Sequence, residues 1–451
     1  MFDRERLDLL SDAMRTLSEG FAGLPGFESD TPGLARIAEV LTATAERLQD
    51  NYPYFHPLYA GQMLKPPHPV AQLAYALAMT INPNNHALDG GRATSAMEKE
   101  AVAQIAAMFG WSTFLGHLCG GGTMANLEAL WVAGQVAPEK TILASAQAHY
   151  THERISKVLQ IPFETVECDA RGRMDVKALE KRLARADVST VVVTVGTTAT
   201  GSIDPLDEIV KLRARHKFRI HADAAYGGYF TLVENLGEDA RRAFAAIGEA
   251  DSIAIDPHKH GLQPYGCGCI LFKDPAAGQW YKHNSPYTYF TSNDLHLGEI
   301  SLECSRPGAA AAALWATQEL LPLAKGGEFA QNLAKSREAA LALFGRLKND
   351  ARFVVAFEPE LDLVIFAPRA ESVSAASALS RGIFEAGAKR DLHLALAELP
   401  VDFFAGAIGG MKRDRDTMIC LRSVLMKPEH LDWIERIWET LIAATDEVRF
   451  D

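Results

Sequence analysis

The chain has 451 residues, 48% of them hydrophobic and 23% charged, with a formal net charge of −12. That is enough apolar content for a large core divided into two or three folding units. The acidic balance and the lack of any Lys/Arg run argue against a nucleic-acid or anionic-membrane partner, and no apolar stretch is long enough to span a bilayer.

The charged start, Met1 to Arg6, has no apolar signal core, so a cytoplasmic location is expected. The six cysteines are sparse and follow no disulfide or zinc spacing. Cys267 and Cys269 read as small core residues in an apolar strand, with a metal pair as the alternative reading; no metal is expected.

Residues from about 5 to 50 carry helical spacing, with Leu34, Ile37, Leu41 and Leu48 on one face. Tyr52 to Pro69, rich in Pro, His and aromatic residues, reads as an ordered irregular arm. Helices are expected over Val70 to Met79, Ser95 to Phe109 and Met124 to Val136. Strands and helices then alternate: Thr141 to Ala144, His149 to Gln160, Phe163 to Glu167, a helix capped by Asp175 and running to Arg185, and the β-branched run Val191 to Val195. Leu206 to His216 reads as a helix. Phe218 to Ala222, Ser252 to Ile255 and Cys269 to Phe272 read as strands. This alternation predicts an α/β domain with a mostly parallel sheet. Beyond residue 325 the rhythm changes. Helices over Phe329 to Leu347, Val373 to Ala386 and Glu429 to Val448 flank strand-like runs at Phe353 to Phe357, Leu361 to Phe366 and Met418 to Met426. The expected division is an N-terminal helical segment and arm (1–85), a large α/β domain (86–325) and a small C-terminal α+β domain (326–451).

Lys259, in Pro257-His258-Lys259-His260, follows a short strand at the edge where α/β sheets carry function. A lysine there can lose its charge by burial and bond an aldehyde. Asp223 ends another apolar strand, among Ala222, Ala224 and Ala225. A buried carboxylate needs a cationic partner, although a helix-capping aspartate reads the same way. The run Gly120-Gly121-Gly122-Thr123 opens a helix and suits a phosphate at its positive end. Together these parts suit pyridoxal phosphate (PLP), with the lysine on its aldehyde, the aspartate on its pyridinium nitrogen and the glycines at its phosphate.

His149, between a strand and a helix, reads either as a ring-stacking group or as a capping histidine. His152 reads as a satisfied core or capping histidine on the helix. Thr198, in Gly196-Thr197-Thr198-Ala199-Thr200-Gly201, can place a hydroxyl near the cofactor or simply belong to a turn. Arg422 lies inside an apolar strand, so its guanidinium needs either a substrate carboxylate or an internal salt bridge.

In combination and order, these residues resemble the group II PLP-dependent amino acid decarboxylases of the fold type I superfamily. The resemblance runs from about His56 to Pro428. It rests on His56-Pro57, Gly121-Gly122-Thr123-x-Ala125-Asn126, Ala148-His149-Tyr150 and Gly196-Thr197-Thr198-x-x-Gly201-x-x-Asp204-Pro205. It rests also on His221-x-Asp223-Ala224-Ala225-Tyr226-Gly227-Gly228, Asp256-x-His258-Lys259 and Ser305-Arg306-Pro307-Gly308. It implies a fold type I large domain, an intertwined N-terminal arm and a small C-terminal domain.

The same resemblance implies that Lys259 bonds the cofactor, Asp223 pairs with its ring nitrogen, His149 stacks on one ring face and Ala225 packs on the other. Gly122, Thr123 and His258 would hold phosphate, Ser305 would reach the phosphate of a second subunit, and Arg422 would take the substrate carboxylate. It also implies a homodimer, and a loop tyrosine, Tyr287 or Tyr289, as the acid that protonates Cα. Two positions depart from the common pattern: His260 stands where an aromatic residue often follows the lysine, and Leu425-Met426-Lys427-Pro428 stands where Asn-Pro is common. The expected reaction is decarboxylation of an L-amino acid. A carbon–carbon lyase or an aminotransferase is the alternative on the same scaffold. The arm around His56 and Tyr59 mildly favours an aromatic substrate over an acidic one or serves as dimer packing, and the Ser-Arg-Pro and Gly-Cys-Gly resemblances leave glutamate or aspartate as the alternative.

Overall fold

The computed structural model describes residues 3–26, 33–282 and 295–450. The helical spacing at the start resolves into two helices, α1 (Arg4–Glu19) and α2 (Leu34–Leu48), neither with a buried residue. The apolar face of α2 is open: Leu34 is 84% and Leu41 62% exposed. After the arm comes α3 (Pro69–Met79), which begins where His68 Nδ1 accepts from Val70 N and proline occupies the first turn. Next is α4 (Leu88–Met108), starting earlier than its apolar period and kinked at Gly91, where a Cβ would meet Asn85 Oδ1 at 2.7 Å.

The large domain then runs β1 (Leu115–Cys119), α5 (Gly122–Val136), β2 (Thr141–Ser145), α6 (Thr151–Leu159), β3 (Phe163–Val166), α7 (Val176–Leu183), β4 (Val188–Thr194) and α8 (Leu206–Leu212). It continues with β5 (Arg219–Asp223), α9 (Glu238–Ala245), β6 (Ser252–Ile255), β7 (Gly268–Phe272) and α10 (Gly308–Leu320). Its seven strands lie in the order β1-β7-β6-β5-β4-β2-β3. β7 is antiparallel to both neighbours and the other pairs are parallel. Strand β4 is buried at every position, as its β-branched run requires of a strand covered on both faces.

The rest of the chain is α11 (Glu328–Asn349), β8 (Phe353–Val355), β9 (Leu363–Pro368), α12 (Val373–Ala388), β10 (Ala395–Pro400), β11 (Thr417–Val424) and α13 (Ile434–Phe450). The second sheet, β10-β11-β9-β8, is antiparallel. It buries Phe366, Leu421 and Val364 against Leu343 of α11, Ile383 of α12 and Leu441 of α13. Each such side chain contributes about 1.5–3 kcal/mol on burial. Cys267 and Cys269 are buried in and beside β7, and burial pushes both thiols up. Among the described residues no helix is long and apolar enough to cross a membrane.

Candidate active site

The C-terminal ends of β4, β5 and β6 lie side by side, with Thr194 opposite Asp223 and Asp223 opposite Ala254. Above them opens a cavity of about 500 Å³. This is the sheet edge at which open α/β folds place their ligands. Lys259, Asp223, His149, Gly122, Thr123, Thr198, Ala225 and His258 all line it.

The two-residue period of β5 separates its faces. Ile220 and Ala222 enter the large core, while His221 and Asp223 turn toward α5 and α6. There Asp223 Oδ2 accepts from His152 Nε2 at 2.8 Å and from Asn126 Nδ2 at 3.3 Å. Asn126 Oδ1 accepts in turn from His221 Nε2 at 2.7 Å, which leaves His221 Nδ1 to accept from Ser252 Oγ at 2.9 Å. Burial drives the His221 imidazole down to about 3, so it stays neutral in this chain of bonds. Burial opposes charge on Asp223 as well. The hydrogen bond from His152 and the positive charge of Lys259 overcome it and hold the carboxyl well below the usual range. Among the described residues its Oδ1 accepts only from Ala225 N, at 3.2 Å, and keeps room for another donor.

Lys259 sits on the turn after β6, its amide donating to the Asp256 carbonyl at 2.9 Å. Its Nζ lies 3.0 Å from Asp256 Oδ2. His258 Nδ1 bonds the Cys267 carbonyl at 2.8 Å, which leaves its Nε2 for another partner. The turn is tight: a Cβ at Gly261 would meet the Pro257 carbonyl oxygen at 2.7 Å. The glycine loop before α5 packs directly on it. A Cβ at Gly122 would come within 2.8 Å of Asp256 Oδ2, and one at Gly268 within 2.5 Å of the Gly121 backbone. Only glycine permits that approach, and it brings the amides at the positive end of α5 to the cavity wall.

His149 stands just before α6 with its ring on the cavity. Its Nδ1 accepts from Thr151 N at 3.3 Å and pairs with Thr151 Oγ1 at 2.8 Å, while the ring lines the cavity. An accepting Nδ1 puts the ring proton on Nε2. Thr197, Thr200 and Ser202 share a chain of hydroxyl bonds, while Thr198 lines the cavity.

Four expected residues are not part of this wall. Ser305 is exposed and accepts from Asn84 Nδ2 at 3.1 Å. His56 Nδ1 accepts from Leu58 N at 3.1 Å, and its ring packs edge-on against Trp433. Tyr59 is buried beneath Lys427, whose Nζ lies 5.4 Å from its ring centre. Arg422 is buried, with Nη2 donating to Gln62 Oε1 at 3.3 Å and Nε without a partner. No ion pair engages it among the described residues. Tyr287 and Tyr289 lie outside the described residues.

The sequence reading missed the groups that support the site. His152 is a buried core histidine, and what the sequence did not show is that its Nε2 bonds Asp223. Its signal was its place on the buried stripe of α6 with Thr151, Ile155 and Ser156. Asn126 interrupts a buried run of small residues in α5. Glu303 Oε2 accepts from Gly120 N at 2.9 Å at the cavity mouth, and no local sequence pattern points to it.

A family model described as the pyridoxal-dependent decarboxylase conserved domain matches residues 124–369. The chain belongs to this family. PLP is its cofactor, and it is a PLP-dependent amino acid carboxy-lyase of fold type I. The residues present fit that cofactor. An ionised Asp223 keeps acceptor room, Lys259 lines the same cavity, and a glycine-lined helix start faces it.

The L-tyrosine decarboxylase of Enterococcus faecium is 29% identical over 74% of this chain and 71% of its own length. A probable L-tyrosine/L-aspartate decarboxylase of Methanothermobacter thermautotrophicus is 28% identical over 68% of this chain and 82% of its own. In three dimensions the chain is similar to Oryza sativa TDC, solved with PLP and tryptamine. The TM-score is 0.78 at 18% identity, covering 98% of this chain and 96% of that one.

Proposed function

We propose that this carboxy-lyase acts on aromatic L-amino acids, L-tyrosine first among them, and works as a cytoplasmic homodimer. The observation that carries the reading is the convergence of Lys259 and a buried, ionised Asp223 on one cavity. The names of the two relatives support tyrosine. So does the aromatic cluster of Tyr52, Tyr54, Tyr59 and His393, with ring centres 4.7–6.4 Å apart, beside Arg422.

PLP, when bound, supplies an electron-accepting ring that drains the Cα–carboxylate bond of an attached amino acid. The chain does the rest. Asp256, 3.0 Å from Lys259 Nζ, orients the Lys259 side chain toward the cavity. Asp223 would keep the ring nitrogen protonated, and His152 and Asn126 aim Asp223. His149 and Ala225 would flank the ring, Thr198 would bond its oxygen, and Gly122, Thr123 and His258 would hold the phosphate. Arg422, with Nε unmatched, takes the substrate carboxylate in bidentate fashion. Tyr59 and His56 shape the arm against the substrate side chain. Ser305 of one subunit completes the phosphate site of the other, and Tyr287 or Tyr289 returns the proton to Cα.

L-Aspartate is the second reading, favoured by the name of the archaeal relative. The test is carbon dioxide release by the PLP-loaded protein from L-tyrosine, L-phenylalanine, L-tryptophan, L-aspartate and L-glutamate. The expected result is the highest kcat/KM on an aromatic substrate. A higher value on aspartate or glutamate overturns the substrate. An aldehyde fragment or a keto-acid requirement in place of carbon dioxide overturns the reaction.

A further inference from the structure

On the other side of the Lys259 turn lies a second cavity, of about 310 Å³. Its interior is basic. Lys427, only 3% exposed, donates from Nζ to the Tyr59 carbonyl at 2.7 Å. Lys65 donates from Nζ to the Met426 carbonyl at 3.3 Å. No carboxylate lies within ion-pair distance of either ammonium among the described residues. His260, 1% exposed, also lines this cavity, with Nε2 3.3 Å from Asp362 Oδ2 and Nδ1 without a hydrogen-bond partner. Glu328 and Glu429 stand at the exposed rim.

An ammonium has three N–H groups, and among the described residues each of these lysines meets one protein acceptor. Two such groups in one partly enclosed space are costly unless an anion joins them. Burial and then Lys65 push Lys427 down to about 7, and burial pushes Lys65 down to about 8.

We propose that this cavity is a second binding site, for a small oxyanion of carboxylate or phosphate chemistry, held by Lys65, Lys427 and the Nδ1 side of His260. Its position makes occupation perceptible at the active site. His260 follows Lys259 in the chain, and the Asp362 that faces His260 accepts from Tyr226 Oη at 2.6 Å. Tyr226 lines the cofactor cavity.

The test is calorimetric titration of the PLP-loaded full chain with inorganic phosphate and, separately, with succinate. Loading fills the glycine-lined phosphate seat first, so phosphate cannot report from there. Wild type is compared with Lys65→Met, Lys427→Met and the surface control Lys157→Met. The expected result is saturable binding of one anion per chain, weakened about tenfold or more in each of the first two variants and retained in the control. The tighter of the two probes identifies the oxyanion chemistry. Should Lys427→Met fail to fold, Lys65→Met carries the comparison, because its lysine is less deeply enclosed. No saturable binding of either probe, or unchanged binding in a folded Lys65 or Lys427 variant, overturns the proposal.

Discussion

Asp223 depends on the side chains behind it. Burial alone would neutralise its carboxyl, and the His152 bond at 2.8 Å is the main force against that. His152→Ala should therefore cut kcat about 10–100-fold at neutral pH. It should also move the acid limb of the pH–rate profile to higher pH, since Asp223 would protonate sooner. A packing role alone would lower the rate equally at every pH. The stability sign agrees. A carboxyl depressed below its unfolded value of about 3.9 contributes stability above that pH, and the contribution fades as pH falls toward the folded value. Gly122→Ala makes a second case. Its Cβ would lie 2.8 Å from Asp256 Oδ2. The PLP dissociation constant, read by absorbance titration, should rise about tenfold or more while the fold survives. Lys259, Asp223 and the glycines were legible in the sequence because their chemistry confines them to strand ends and a helix start. His152 and Asn126 were not, because their role depends on which face of α6 and α5 meets β5.

Among the elements, Asp204 ties the segment after β4 to its neighbours. Asp204 accepts from Thr194 N at 2.8 Å and Met174 N at 2.7 Å, fully buried, and burial pushes it up to about 7. Asp204→Ala leaves two buried amides unmatched, and urea unfolding should show a loss of about 2–5 kcal/mol. The βαβ rhythm was readable from β-branched runs and caps. Elements without such marks were not. Strand β1 exists through its pairing with β7, where Gly116 lets Ile270 and Leu271 approach so closely that a Cβ would meet them at 2.8 and 2.5 Å. Helix α10 is an alanine run, Ala309 to Ala313, with no polar face to give a period, and it packs against α3 and α4. Strand β10 ends in Pro400 and alternates weakly, so only its register with β11 defines it.

The molecule as described leaves the apolar faces of α1 and α2 open, with Leu7, Leu9, Leu34 and Leu41 exposed. A contiguous apolar face of that kind favours association. Ser305 and the arm residues, which do not reach this chain's own cavity, fit the same requirement. Sedimentation should show a dimer. Replacing Leu34, Leu41 and Leu48 together with Ser should shift it toward monomer and lower decarboxylation in parallel; a fully active monomer would refute the shared site. The cofactor bond itself is the most direct test. Reduction of the PLP-loaded protein with borohydride, followed by peptide mass spectrometry, should place the cofactor mass on the peptide containing Lys259. Its appearance instead on Lys65, Lys427 or another lysine, with Lys259 unmodified, would contradict the site described here.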